Sequence, residues 1–197
     1  MPTEILRPNE AGDECNLVST TGCPNSFQDV DEVVPDDFVT TVSIVVPGVG
    51  TFSARDLYNL PPSGVGVGTI TKITVSIVCD AVFVTPSSKC VIKIGGNVYE
   101  GAPQWNGGWG TSTEDWLENP DSVAAWTWAD IGNLQIGVWL EGTHVGKIGG
   151  TYCTQVFVTI HYTLGWTGKI MGLDSPVNVA KIMGIPIVDI DKIIGVG

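Results

Sequence analysis

Residues Thr69–Thr85 read TITKITVSIVCDAVFVT. Ile73, Val75, Ile77, Cys79, Ala81 and Phe83 fall on one side of an extended chain, and Lys72, Thr74, Ser76 and Asp80 on the other. Alternation with period two over this length predicts a half-buried β-strand, bent near Asp80, and not a helix.

The same grammar extends outward from that stretch. Upstream, Thr40–Val46 is β-branched and stops at Pro47-Gly48, and Phe52–Tyr58 is closed by Pro61-Pro62-Ser63-Gly64. Downstream, Pro86-Ser87-Ser88 reads as a turn, and Lys89–Ile94 alternates with Cys90, Ile92 and Ile94 inward. Gly95-Gly96-Asn97 is a tight hairpin signal leading into Val98-Tyr99. Asn133–Glu141 aligns Leu134, Ile136, Val138 and Leu140, while Thr151–Thr163 aligns Tyr152, Val156, Val158, Ile160 and Tyr162. One helical turn is expected within Ser122–Ile131, capped by Asp121 or Ser122. Residues 1–37 read as mostly irregular. Short strands with frequent turns and no βαβ rhythm predict an all-β chain, an antiparallel β-sandwich of jelly-roll type over residues 1–164.

From residue 165 the pattern changes. Lys-Ile-(Met or Ile)-Gly recurs at Lys169, Lys181 and Lys192. A unit this short holds one strand and one turn and leaves its apolar face uncovered. Residues 165–197 are therefore expected to form a short β repeat tail for assembly or docking. Ile170, Met171, Gly172, Ile182, Met183, Gly184, Ile193, Ile194 and Gly195 carry the contact, with the glycines making equivalent turns. The lysines have a plainer use as solubilising breaks in an aggregation-prone edge.

The formal net charge is −12. The tail holds three Lys and three Asp, so the excess acid lies entirely before it. Such a surface repels phosphate backbones, which argues against nucleic-acid binding. The opening MPTEILRPNEAGDE has neither a basic segment nor an apolar one, so no signal peptide is expected there. No apolar run is long enough for membrane insertion.

Little in the chain points to catalysis. His144 and His161 lie in no ligand pattern, and GxSxG, P-loop and HExxH motifs are absent. GVGVG at 64–68 lies between strands with no helix after it. Glu114 with Asp115, or Glu118 with Asp121, would be the carboxylates of a glycosidase, but paired acids are common on an acidic protein. The acidic stretch Asp29–Asp37 lacks the glycine and glutamate of a calcium loop and reads as solvated. No catalytic residue, metal site or cofactor is assigned. Five cysteines allow at most two intrachain bridges, and Cys15 and Cys23 flank a turn-rich loop suited to pairing.

The densest aromatic zone carries Trp105, Trp109 and Trp116 among Gly, Asn and acidic residues. Flat indoles beside amides and carboxylates suit a glycan; packing into the sandwich end or an interface is the plainer reading. Of Trp126 and Trp128, one is expected in the core and the other outside it. Trp139 is out of phase with the Leu134–Leu140 face and belongs on the opposite side of its sheet.

Four segments carry a resemblance: the TEILRPN…GDE opening, the run WTWADIGNLQIG, the closing TIHYT, and the Lys-Ile-x-Gly tail. Together they resemble tailed-phage virion structural proteins of the decoration, head-fibre and tail-appendage type. The resemblance implies a non-enzymatic capsid- or tail-bound homo-oligomer, often a trimer, made in the host cytoplasm and located in the virion. Its partners would be itself, other capsid or tail subunits, and surface glycans. The rival readings are a glycan-binding adhesin module centred on the three tryptophans and an extracellular filament subunit assembling by strand donation.

Overall fold

The computed structural model describes residues 1–104, 108–144 and 146–164, together with the backbone of 181–182 and 185–186. The chain divides into two compact units, Met1–Thr163 and Leu164–Gly197. In the second, Lys181–Ile182 pairs antiparallel with Ile185–Pro186. The other assembly residues expected in the tail, and Trp105, lie outside the described residues.

Among the described residues the first unit contains eleven strands: β1 (Thr3–Leu6), β2 (Glu10–Cys15), β3 (Val18–Ser19), β4 (Val42–Val46), β5 (Thr51–Asn59), β6 (Thr69–Val82), β7 (Val84–Ile94), β8 (Asn97–Glu100), β9 (Gly110–Trp116), β10 (Gln135–His144) and β11 (Gly149–Thr163). One sheet has the order β3-β4-β11-β6-β9, with β1 also pairing with β11. The other has the order β2-β5-β10-β7-β8. Every pair between them is antiparallel. Stripped of β1, β2 and β3, the two sheets are β4-β11-β6-β9 and β5-β10-β7-β8, the strand order of an eight-stranded jelly roll. The expected all-β sandwich is the fold that forms.

Its core follows the alternation. Ile73, Val75, Ile77 and Cys79 of β6 and Val156, Val158 and Ile160 of β11 face Cys90 and Ile92 of β7 and Ile136, Val138 and Leu140 of β10. All are buried.

The structure departs from the sequence reading in several places. The strand begun at Thr69 ends at Val82, and Phe83, with φ 57°, carries the chain into the other sheet. Pro86 is no turn but lies inside β7, opposite Gly142. Tyr152 does not share a face with Val156: β11 is bulged between Cys153 and Gln155, so Thr154 is an extra residue and the alternation changes side. The helix is only Trp128–Ile131, capped by Thr127 in a reciprocal box with Asp130, because a Thr three residues before an acid satisfies the first backbone donors better than Asp121 or Ser122. Residues 1–37, expected irregular, supply β1, β2, β3 and a 3-10 turn at Asn25–Asp29; these strands are short and paired at the sheet margins, too brief to show a period.

The acidic stretch also differs from a solvated loop. Asp29 is fully buried and accepts from the backbone N–H of Thr21 at 3.0 Å. Asp36 accepts from the hydroxyls of Thr40 at 2.7 Å and Thr154 at 2.9 Å, tying this loop to the β11 bulge. A disulfide joins Cys15 and Cys23, whose Cα atoms are 6.1 Å apart. Among the described residues, no helix is long and apolar enough to cross a membrane, and no group of three or more His, Cys, Asp and Glu is placed to hold a metal ion.

Candidate functional site

In β10, Ile136, Val138 and Leu140 fill the core, so pleating turns Gln135, Gly137, Trp139 and Glu141 outward. Residues directly opposite in an antiparallel sheet share a face. Trp139 is opposite Arg55 of β5 on one side and Lys89 of β7 on the other, so an indole stands mid-sheet between two cations. In the next row Gly137 lies between Leu57 and Val91, both buried although they point away from the core.

The cations are tied down by acids from the sheet margins. The Arg55 guanidinium donates to both oxygens of Glu14 in β2, at 2.7 and 2.8 Å. It also donates to Glu100 of β8 at 3.2 Å. Lys89 Nζ donates to the other Glu100 oxygen at 2.6 Å and sits 4.3 Å from the Trp139 ring centroid. Hydrogen bonding to Glu14 raises the Arg55 pKa, against the opposing effect of burial. Further along the face, Lys93 pairs with Asp13, and that hydrogen bond lowers the Asp13 pKa.

One wall of the site hangs on a buried acid. Asp56 Oδ1 accepts the backbone N–H groups of Asn16 at 2.6 Å and Leu17 at 2.7 Å, and Asn16 Nδ2 donates to the Arg55 carbonyl at 3.2 Å. Burial raises the Asp56 pKa, and the two backbone donors oppose the rise. Glu14, Asn16, Ser53, Ala54, Arg55 and Trp139 enclose an open groove of about 320 Å³. The arrangement offers a flat apolar ring, a fixed guanidinium, carboxylates and an amide on one rigid sheet. It suits binding of an amphipathic ligand with many hydroxyls.

Of the three tryptophans expected to form a platform, Trp105 lies outside the described residues, and Trp109 and Trp116 do not meet each other. Trp116 is opposite Ile73 and packs against the core. Trp109 meets Phe38 edge-on at 4.9 Å, and Phe38 in turn meets the outward Tyr152 at 5.3 Å. Pleating and the start of β9 thus separate Trp109 and Trp116 onto different faces of their sheet. Trp126 is buried, its indole N–H donating to the Trp116 carbonyl at 3.0 Å, while the half-buried Trp128 donates to the Gly68 carbonyl at 3.0 Å. The Glu114 and Asp115 side chains also diverge. Glu114 accepts from the backbone N–H of Ala102 at 2.9 Å, and Asp115 pairs with Lys72 at 2.6 Å on the outer face, near His161. Lys72 and Asp115 flank His161, whose pKa is lowered chiefly by burial.

No protein-family model matches the sequence, and neither does any curated protein sequence. Among solved structures, the chain is similar to the carbohydrate-binding module TmCBM61 in complex with β-1,4-galactotriose, at 12% identity and a TM-score of 0.40, covering 80% of this chain and 87% of that one. It is similar to a CBM4 structure at 11% identity and a TM-score of 0.35, covering 61% and 84% of the two chains. It is also similar to a chain of infectious bursal disease virus, Gx strain, at 10% identity and a TM-score of 0.27, covering 75% and 39%.

Proposed function

We propose that the jelly-roll unit is a carbohydrate-binding domain whose ligand lies across the outer face of the β2-β5-β10-β7-β8 sheet against Trp139. The observation that carries this reading is the row Arg55–Trp139–Lys89 beside a groove lined by Glu14, Asn16 and Ser53. A sugar ring has apolar C–H faces and a polar rim. An indole takes the face, and side chains held by ion pairs take the hydroxyls without losing much entropy on binding. The sheet supplies the rigidity, since β10 is paired on both sides along its length.

The test is calorimetric titration of the full chain, and of Trp139→Ala, with a panel of neutral and acidic oligosaccharides. The expected result is binding of one class by the full chain and its loss in the variant, with the far-ultraviolet spectrum unchanged. Equal binding by both proteins, or no binding across the panel, overturns the reading.

A second reading concerns the tail, and its support is the repeat itself together with the short antiparallel pairing inside its middle copy. The tail would assemble the chain into a homo-oligomer, or dock it on other subunits of a virion, leaving the sandwich displayed for adhesion. Strand addition supplies main-chain bonds for affinity and aliphatic side chains for register. Removing residues 164–197 is expected to leave a folded domain of monomeric mass by light scattering. An oligomer unchanged by that truncation sinks the reading.

A further inference from the structure

Three cysteines, Cys79, Cys90 and Cys153, are unbridged and fully enclosed in the core. Cys79 of β6 and Cys153 of β11 are direct partners in the register of the two central strands of their sheet. Direct antiparallel partners have Cα atoms about 4.5–5.5 Å apart and side chains on one face. A disulfide needs Cα atoms about 4.4–6.8 Å apart. Cys90 lies on β7 of the opposite sheet and is a register partner of neither Cys79 nor Cys153. Its thiol is turned to the Val75 carbonyl at 3.4 Å.

We propose that Cys79 and Cys153 are a second disulfide site, closed when the chain folds in the presence of a small disulfide oxidant. The Cys79 thiolate attacks a sulfur of the oxidant, giving a mixed disulfide and releasing one small thiol. Cys153, deprotonated, then attacks the Cys79 sulfur, forming the intrachain bond and releasing a second small thiol. Two protein S–H groups are lost and the oxidant is reduced to two thiols, so atoms and electrons balance. Both side chains are fully buried in the finished fold, and burial raises the Cys79 pKa far above its usual value. Thiolate is therefore scarce once the sheets have closed, and bridging belongs to folding, before closure. With Cys15–Cys23 already bridged, this second bond brings the five cysteines to their maximum of two and leaves Cys90 as the single thiol. It would staple the two longest strands of the sandwich to each other at the β11 bulge.

The experiment unfolds the full chain with reductant and refolds it in a reduced and oxidised glutathione pair. Thiols are then alkylated, and the protein is digested and mapped by mass spectrometry without reduction. The expected map has Cys79 linked to Cys153, with Cys90 alkylated. Cys90→Ala, which leaves the pair intact, gives the same linked peptide, and the oxidised protein melts at a higher temperature than the reduced one. Alkylation of both Cys79 and Cys153, or a link from either to Cys90, overturns the assignment.

Discussion

Lys89 Nζ stands 4.3 Å from the centre of the Trp139 ring, held there by Glu100 at 2.6 Å. One face of the indole is thus covered by a cation in the free protein. A ligand that stacks on that face has to displace the cation first, and the displacement is subtracted from its affinity. Lys89→Ala is expected to tighten binding of a neutral oligosaccharide two- to five-fold, equivalent to about 0.5–1 kcal/mol of released cation–π attraction. Titration calorimetry reads the change. Weaker binding would instead make Lys89 a direct ligand to the sugar.

Arg55 holds Glu14 through two parallel hydrogen bonds and reaches Glu100 with a third. A lysine cannot reproduce that fork, so Arg55→Lys is expected to cost about 1 kcal/mol of stability after allowance for solvent screening. Urea unfolding at low and high salt checks this. The deficit should shrink as ionic strength rises, and amide exchange in β2 should quicken because Glu14 is its anchor.

Asp56 carries a pH signature of its own. Burial raises its pKa, so the native state holds the proton more tightly than the unfolded chain does. Its contribution is then largest below the unfolded-state pKa and is lost as pH rises through the elevated native value. The stability of the wild type relative to Asp56→Asn should therefore fall as pH rises from the ordinary carboxylate range through the elevated native value. Asp56→Ala is a harsher change. It strands the N–H groups of Asn16 and Leu17 and is expected to cost about 2–4 kcal/mol, measured by chemical denaturation.

Gly137 leaves no room for a side chain. A Cβ there would lie 2.0 Å from the Asp56 carbonyl oxygen, in the backbone of the neighbouring strand. Gly137→Ala is expected to destabilise the sandwich by more than about 3 kcal/mol or to prevent folding. Gly48→Ala, where a Cβ meets nothing within 4 Å, is expected to stay within about 0.5 kcal/mol. Thermal melts of the two variants compare them directly. Similar melting temperatures would contradict the packing described here.

The long strands were legible because each buries one face. Ile73, Val75 and Ile77, or Ile136, Val138 and Leu140, cannot alternate with polar neighbours in that way and serve a helix equally well. β1, β2 and β3 were illegible because strands of two to six residues, paired at sheet margins, show too few turns of the pattern. The bulge at Thr154 was hidden for another reason. An inserted residue reverses which side chains face inward without altering composition, and this misplaced Tyr152. Trp109 and Trp116, close in sequence, were grouped by composition, but pleating sets Trp116 against the core and leaves Trp109 beside Phe38.

By itself, then, the sequence determined the all-β class, the main strands, most of the inward residues and the outward phase of Trp139, all of which are properties of local periodicity. Only the tertiary structure decided what surrounds that indole. Arg55, Lys89, Glu14 and Glu100 come from four other strands, and their meeting depends on strand order and register. The same holds for Cys79 and Cys153, brought opposite each other across a long connection. Local alternation says which way a side chain points; its neighbour is chosen by the lateral pairing of distant strands.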